Sequence, residues 1–266
     1  MKLKTITLLL ITSTVFNACT KSIDEEITTK QTTLSERKNN DDKYNTFYGP
    51  QTKLGKGHVR TFVSITHSGI PKEVGIIVSK DALNGLPDEG VSLVLPFHHK
   101  AMNVVPFKHV YLNWNPHGHP PIPGPYLVPH FDFHFYMISS EERMLISPAS
   151  PKMNLIPPPP LWPTNYVPTD GGEPQMGKHW INPSGSPEIC CGQPFKYTFI
   201  HGSYDSKFIF IEPMITRAFL LGNENASKSF SPLKQFVVPN TSYPSTYNIK
   251  KGDGDRIISL TNFEKH

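Results

Sequence analysis

Apolar and polar residues alternate in short segments along most of this chain, and glycine or proline turns separate these segments. The alternation is clearest over residues 58–66, 73–79 and 91–96, and again in two arms that meet at a turn within residues 195–212. No long segment keeps the apolar stripe of an amphipathic helix. The pattern predicts an all-β, mainly antiparallel fold: a single β-sandwich or barrel-like domain with long Pro-rich loops and at most short helices.

The segment from Trp114 to Tyr136, WNPHGHPPIPGPYLVPHFDFHFY, combines four histidines with one carboxylate. Because side chains alternate along a strand, His130, Asp132, His134 and Tyr136 share one face, and three phenylalanines share the other. One face is therefore suited to packing in a core, while the other carries groups capable of chemistry.

Neutral imidazoles with a carboxylate suit zinc, copper, iron or nickel, so the sequence predicts a divalent-metal site with zinc as the expected ion. The candidate ligands are His119, His130, His134, His179 and Glu212, and the candidate residues that orient them are Asp132, Tyr136 and His117. At roughly 3.3 Å per residue, His130 and His134 lie about 13 Å apart in a regular strand, whereas a ligand bond is about 2 Å long. We therefore expect one of the two to support the site from outside, unless the strand bulges.

Two of these candidates lie downstream of the histidine-rich segment. His179 follows a glycine-containing loop and precedes Trp180, and Glu212 precedes Pro213 in an apolar strand. Since proline cannot donate a ladder hydrogen bond, we expect the strand to end after Glu212 and to present its carboxylate. The alternatives are a loop histidine packed on Trp180 and a solvated or salt-bridged acid.

The amino terminus has the layout of an export signal. Lys2 and Lys4 precede an apolar run over residues 6–16, which ends at Ala18 and Cys19. The Ala-Cys pair resembles the cleavage box of bacterial lipoproteins, in which the cysteine becomes the lipidated first residue. An ordinary secretory signal cut nearby is the alternative.

This layout divides the chain into three parts. Residues 1–18 are predicted to be a signal peptide, residues 19–45 a lipidated cysteine with a disordered polar tether, and residues 46–266 a single β-rich domain. We expect an exported, outer-membrane-anchored lipoprotein on the periplasmic or cell-surface side. Its partner would be the lipid bilayer, through Cys19.

Charge gives no indication of nucleic-acid binding. The chain has 26 basic and 22 acidic residues, and removal of Lys2 and Lys4 with the signal leaves 24 against 22, a net charge near +2. No cluster of basic residues interleaved with aromatics supplies the electrostatic footprint that phosphate binding requires. We therefore expect no nucleic-acid partner.

Cys190 and Cys191 are adjacent in the sequence. We expect two thiols on opposite faces of a strand or turn, at least one of them buried, because a disulfide between neighbours is strained. A vicinal disulfide in an oxidising compartment and joint metal ligation are the alternatives.

Many of the 27 prolines fall within residues 106–129 and 148–174. Both stretches are predicted to be extended loops. Long ordered loops in compact domains are usually functional, so we expect these loops to cover something.

Several long motifs resemble an uncharacterised bacterial family of exported proteins, a domain of unknown function. They are GHVRTFV from Gly57, WNPHGH from Trp114, PHFDFHFY from Pro129, QMGKHW from Gln175 and FIEPMIT from Phe210. In this family His119, His130 and His134 belong to the signature and His117 falls at a variable position. The resemblance implies a compact β-rich fold that assembles as a homo-oligomer, and it implies no reaction.

Two hypotheses for function follow. If the metal keeps one open coordination position, the protein is expected to be a metal-dependent hydrolase or lyase, with catalytic residues that the sequence leaves unassigned. Alternatively, the histidines and aromatics line a groove in a non-catalytic envelope module that binds a small molecule, a glycan, a peptide or another subunit. A serine-based mechanism has little support, because the chain lacks a GxSxG elbow.

Overall fold

The computed structural model describes residues 43–120 and 124–266. The predicted signal peptide and the predicted lipidation site at Cys19 lie outside the described residues. Within the described ranges, strands make up most of the regular structure. The predicted all-β, mainly antiparallel class is confirmed.

Fourteen strands are described. They are β1 (Tyr44–Tyr48), β2 (Thr52–Leu54), β3 (Gly57–Thr66), β4 (Pro71–Ser79), β5 (Val91–Pro96), β6 (His109–Asn115), β7 (His130–Tyr136), β8 (Val167–Pro168), β9 (Lys178–Ile181), β10 (Tyr197–Tyr204), β11 (Lys207–Thr216), β12 (Ala226–Ser229), β13 (Ser242–Lys251) and β14 (Asp255–Lys265). The helices are short, as predicted: α1 (Ser140–Met144), α2 (Pro187–Cys190) and α3 (Arg217–Leu221), with 3-10 turns at Lys80–Leu83, His99–Ala101, Pro151–Asn154 and Pro159–Leu161.

The strands form two seven-stranded sheets. The first sheet has the order β1-β3-β4-β14-β13-β12, with β2 paired to β3, and the second has the order β5-β6-β7-β11-β10-β9-β8. Every pairing is antiparallel. The sheets pack as a sandwich, and in the described residues neither closes on itself.

The main core lies between the sheets. The first sheet contributes aliphatic residues such as Val63 and Ile76, and the second contributes the phenylalanines of β7, Phe131, Phe133 and Phe135. These side chains are almost fully buried. The alternation read from the sequence is therefore confirmed, because one face of β7 packs into the sandwich.

The other face of the second sheet, here called the outer face, is also covered. Two smaller apolar clusters lie there, one around Tyr136 and Phe210 and one around Ile200 and Met214. Strand β6 occupies residues 109–115, so the first predicted Pro-rich loop is shorter than expected. The rest of that loop contributes Tyr126 to these clusters, and the second predicted loop contributes Met153. All seven residues of β7 are buried as a result. The expectation that these loops cover something agrees with this packing.

The strand that carries Glu212 continues through Pro213, so the prediction that it ends there is wrong. Strand β11 runs on to Thr216, and Pro213 pairs with Phe199 of β10. On the other side, β11 pairs with β7 at Ile211 and again from Met214 onward. The missing N–H of proline interrupts one ladder locally while the pairing to β10 continues, and Glu212 lies in the middle of the strand.

Cys190 and Cys191 also differ from the prediction. The structure joins them in a disulfide, with their Cα atoms 3.8 Å apart, and both residues are exposed. The pair ends α2 and begins the following bend, where the turning chain brings the two side chains to the same side. Neither cysteine side chain is therefore buried in a core.

No helix in the described ranges is both long and apolar enough to cross a membrane.

One histidine of the main core makes stability depend on pH. His201 is fully buried beside Tyr166 and Phe199, and burial lowers its pKa from the ordinary value of 6.5 to about 3. The unfolded chain therefore binds a proton more readily between these two pH values. The free energy of unfolding is therefore unaffected by protonation of His201 above pH 6.5 and decreases as the pH falls below that value.

We predict that His201→Leu flattens the pH dependence of unfolding. Between pH 7.5 and pH 5, the wild-type chain should lose about 2 kcal/mol more than the variant, because only the wild type must exclude a proton from the core. Urea unfolding at both pH values, with chelator present throughout, measures this difference. Parallel losses in the two proteins would contradict the assignment.

Candidate metal centre

The outer face of β7 carries two imidazoles and, between them, one carboxyl group: His130, Asp132 and His134. Strand alternation places all three side chains on this face, opposite the phenylalanines of the main core. Their side chains are 0%, 6% and 1% exposed. Titratable groups buried to this degree require a group of complementary charge nearby, and each of the three lies within 3.2 Å of a carboxyl group or an imidazole.

The structure gathers the candidate ligands into two clusters. The first, here called the upper cluster, contains His119, His130 and Asp132, and the second, here called the lower cluster, contains His134, His179 and Glu212. Within each cluster, one ligand atom per residue lies within 4.8 Å of the others. Each cluster therefore has two imidazoles and one carboxylate and is able to hold a metal ion.

Sheet register explains how the lower cluster assembles. Ile211 pairs with Phe135 and Met214 with Asp132, so Glu212 lies beside His134 on the neighbouring strand. His134 Nε2 and Glu212 Oε2 are 3.2 Å apart. His179 arrives from β9, where it pairs with Gly202 of β10.

Gly202 makes room for the aromatic ring that supports this cluster. A Cβ at this position would stand 1.9 Å from the ring of Phe210. That ring makes edge contacts with His134 and His179, with centroid distances of 4.9 and 5.7 Å. The absence of a side chain at Gly202 therefore lets Phe210 hold both imidazoles in place.

The upper cluster joins β7 to the loop that follows β6. His130 Nε2 lies 3.2 Å from Asp132 Oδ1, and His119 Nε2 lies 3.4 Å from Asp132 Oδ2. Asn115 donates a hydrogen bond to Asp132 Oδ2 at 2.7 Å. The imidazoles of His119 and His130 meet edge to face at 4.7 Å. The carboxylate thus bridges the two rings.

Backbone carbonyls set the tautomers of three imidazoles. His119 Nδ1 lies 2.7 Å from Pro120 O, His130 Nδ1 lies 2.7 Å from Val128 O, and His134 Nδ1 lies 3.1 Å from Tyr111 O. A carbonyl oxygen accepts and never donates, so in each neutral ring the proton is on Nδ1. The Nε2 lone pair then points into the cluster. This is the arrangement that orients a metal-ligating histidine.

Five buried atoms of the two clusters have no hydrogen-bond partner among the described residues. They are His130 Nε2, Asp132 Oδ1, His134 Nε2, His179 Nε2 and Glu212 Oε2. A buried polar atom without a partner costs about 1–3 kcal/mol. Where an imidazole lone pair faces a carboxylate oxygen, two acceptors oppose each other, and a cation between them satisfies both.

Burial and charge shift the pKa values within these clusters in different directions. Burial lowers the pKa of His134 to about 3 and that of His179 to about 4, so both rings are neutral and competent to ligate. Burial, aided by the charge of Asp132, raises the pKa of Glu212 well above its ordinary value.

The upper cluster behaves differently. Burial opposes ionisation of both partners, but the contacts between Asp132 and the imidazoles outweigh it, so the pKa of Asp132 is lowered and that of His119 is raised. Asp132 is therefore the anionic carboxylate of the site.

Both clusters open onto one cavity of about 260 Å³. Its lining includes His119 and Asp132 from the upper cluster and His134, His179 and Glu212 from the lower cluster. A mostly apolar recess of about 330 Å³ adjoins it and shares His119 and His179. No lysine or arginine is among the described residues that line either space. The site therefore has room for a small ligand beside the imidazoles.

The five predicted ligands all fall within the two clusters. His130 and His134, which cannot share one ion, belong to different clusters, an arrangement that the single-site hypothesis did not include. Asp132 was expected to orient a ligand, and its carboxylate lies among the candidate ligand atoms themselves.

The other two predicted supporting residues lie apart from the ligand atoms. Tyr136 stacks on His134 at 5.9 Å, while its hydroxyl donates to Gln175 O at 2.9 Å. His117 is exposed and belongs to neither cluster.

Sequence reasoning missed three polar residues that line the cavity: Asn113, Asn115 and Glu173. The two asparagines alternate on β6 just before the proline-rich loop, a spacing that marks one face of a strand. Glu173 is exposed and lies in a loop before β9, and no local pattern distinguishes it from other surface acids. No family model matches the chain, and no curated protein or solved structure is significantly similar to it.

We predict that Gly202→Ala destabilises the protein by about 1–3 kcal/mol, because the new Cβ displaces the Phe210 ring from a well-packed position. Gly252→Ala is the matched control, since its Cβ would meet no atom closer than 3.4 Å. Urea unfolding of the two variants tests the prediction. Equal stability of both variants would show that Phe210 has room to move.

Proposed function

We propose that this chain binds a divalent metal ion at the outer face of its second sheet and uses it in hydrolysis. One observation carries the proposal: buried imidazole Nε2 atoms face buried carboxyl oxygens at 3.2 Å, and these four atoms have no hydrogen-bond partner among the described residues. A divalent cation satisfies both acceptors at once, and zinc is the ion best suited to two imidazoles and a carboxylate.

The number of ligands favours catalysis over a purely structural role. Structural zinc sites are closed by four protein ligands, whereas catalytic sites have three and leave a position open. Each cluster offers three ligands and lines a cavity large enough for a small molecule. A metal ion held by these residues would activate water for attack on an ester, amide or phosphoryl centre.

The chain's own residues would position the substrate. Asn113 and Asn115 offer amide groups along one wall of the cavity, and Met176 and Met214 contribute apolar surface. Glu173 reaches the cavity from its exposed loop and belongs to neither cluster, so it is available to exchange protons with solvent. We assign Glu173 the role of general base or acid at the cavity mouth.

The alternative is a non-catalytic binding groove, in which His119 would lie apart from the β7 face and open to solvent. Instead, the His119 ring lies 4.7 Å from the His130 ring and its side chain is about one third exposed. This contact favours a metal centre over a docking groove.

We also propose that the protein is exported and anchored by a lipid at Cys19. The support is the basic residues, apolar run and Ala-Cys pair at the amino terminus. The disulfide between Cys190 and Cys191 is consistent with an oxidising compartment.

We predict that the protein purified without a histidine tag contains divalent metal and is stabilised by it. At a thousandfold excess of zinc over its Kd, binding contributes about 4 kcal/mol, which raises the Tm of a domain of this size by about 10 °C. Elemental analysis and thermal unfolding with and without chelator measure both effects. Metal-free protein whose Tm ignores chelator and zinc would refute metal binding.

A second prediction separates an open catalytic site from a closed structural one. Cobalt-loaded protein should change its visible absorption spectrum when acetohydroxamate is added, because the hydroxamate occupies the open position. Glu173→Gln should keep the cobalt spectrum, since Glu173 is in neither cluster. A spectrum that hydroxamate leaves unchanged would show a closed site and would rule out the hydrolytic role.

A further inference from the structure

The upper and lower clusters are two complete and separate ligand sets. Each has two imidazoles and one carboxylate, and each contains buried ligand atoms that lack a partner among the described residues. In the upper cluster these atoms are His130 Nε2 and Asp132 Oδ1; in the lower cluster they are the Nε2 atoms of His134 and His179 and Glu212 Oε2. Unpartnered ligand atoms therefore argue for an ion in each cluster.

One ion cannot satisfy both clusters. His130 and His134 are separated by four residues of regular strand, about 13 Å, and ligand bonds are about 2 Å long. Their Nε2 atoms also face different carboxyl groups, that of His130 facing Asp132 and that of His134 facing Glu212. A single ion would therefore leave the imidazole and the carboxylate of one of the two contacts facing each other without a cation between them.

The two sets are nevertheless neighbours in one cavity. Asp132 and His134 are two residues apart on the same face of β7, which places their Cα atoms about 6.6 Å apart. Glu212 lies beside His134, and Met214, next on that face of β11, lies beside Asp132. Both clusters line the same cavity.

Charge also favours two ions. The cavity contains the carboxylates of Asp132 and Glu212, and Glu173 adds a third at the mouth. No lysine or arginine is among the described residues that line it. Two bound divalent cations would carry more positive charge than the three carboxylates carry negative charge, which would suit the cavity to a substrate with a negatively charged or strongly polarised oxygen.

We propose that the protein binds two divalent cations at once, one in each cluster, and that they face a common substrate cavity. This inference rests on the proposed metal-binding function and adds its stoichiometry and the division of ligands. Asp132 anchors the ion of the upper cluster, and Glu212 anchors the ion of the lower cluster.

Isosteric carboxamide variants test the division of ligands. Asp132→Asn and Glu212→Gln keep the size of each side chain and remove its charge, so each should abolish binding in its own cluster. Chelator-treated full-length protein, purified without a histidine tag, is titrated with zinc alone by calorimetry, and the bound metal is then counted by elemental analysis after desalting.

The expected result is two zinc ions per wild-type chain, one in each single variant and none in the double variant. His117→Ala is the matched control for His119→Ala: the exposed His117 belongs to neither cluster, so its loss should leave two ions. If Asp132→Asn fails to fold, His119→Ala replaces it, because the His119 side chain is 33% exposed and tolerates removal.

The outcomes separate this proposal from the function on which it rests. One zinc ion per wild-type chain, or loss of all metal in either single variant, would overturn the two-ion centre and leave a mononuclear site intact. Two ions retained in both single variants would overturn the division of ligands. No bound zinc in the wild type would overturn both the two-ion centre and the proposed function.

Discussion

On the outer face of the second sheet, buried histidine nitrogens face buried carboxyl oxygens, and the arrangement of the site follows from this contact. His134 Nε2 faces Glu212 Oε2, and His130 Nε2 faces Asp132 Oδ1, each at 3.2 Å. Backbone carbonyls hold the ring protons of both histidines on Nδ1, so neither contact has a donor while the carboxylates are ionised. A metal cation, or a proton on the carboxyl group or on the facing Nε2 atom, must resolve each contact.

The fold is arranged so that both faces of the second sheet can be buried. One face supplies phenylalanines to the sandwich core, and the other is closed by Pro-rich loops in place of a third layer of helices. Proline loses little conformational entropy on ordering, which suits it to a rigid cover over polar groups. Gln175 fixes this cover, because it accepts hydrogen bonds from Arg143 and from the Tyr136 hydroxyl.

The antiparallel sheet assembles the ligands of the site from strands that are separate in the sequence. It brings β7, β11 and β9 together in a register that sets Glu212 beside His134 and lets His179 reach the same cluster across Gly202. Strand β7 contributes three ligands and β9 and β11 one each, so the geometry of the site depends on the pairing of strands far apart in sequence. Rigid strands also place ligands more accurately than loops.

Local patterns were sufficient to predict the fold class, the strand character of β7 and the face that its histidines share. They also identified all six residues of the two clusters, although Asp132 was assigned a supporting role. They were not sufficient to divide those residues between two clusters, because the division depends on the register of β11 and β9, which is a non-local property. Glu212 was placed at a strand end because proline was treated as a terminator, whereas β10 keeps its pairing through Pro213.

The two cysteines show the same limit at shorter range. Their expected placement on opposite faces assumed a regular strand or turn, and the end of α2 turns the chain there instead. Glu173 was missed because an exposed loop acid has no periodicity that distinguishes it. The alternation of β7 identified its ligands, whereas no local pattern identified Glu173.

Anomalous diffraction from crystals soaked in zinc shows whether a metal ion lies in each contact. We expect anomalous peaks about 2 Å from the Nε2 atoms of His130 and His134, each also close to the facing carboxylate oxygen. Well-ordered side chains with no anomalous peak between them, and with each carboxyl group hydrogen-bonded directly to its imidazole, would contradict metal binding.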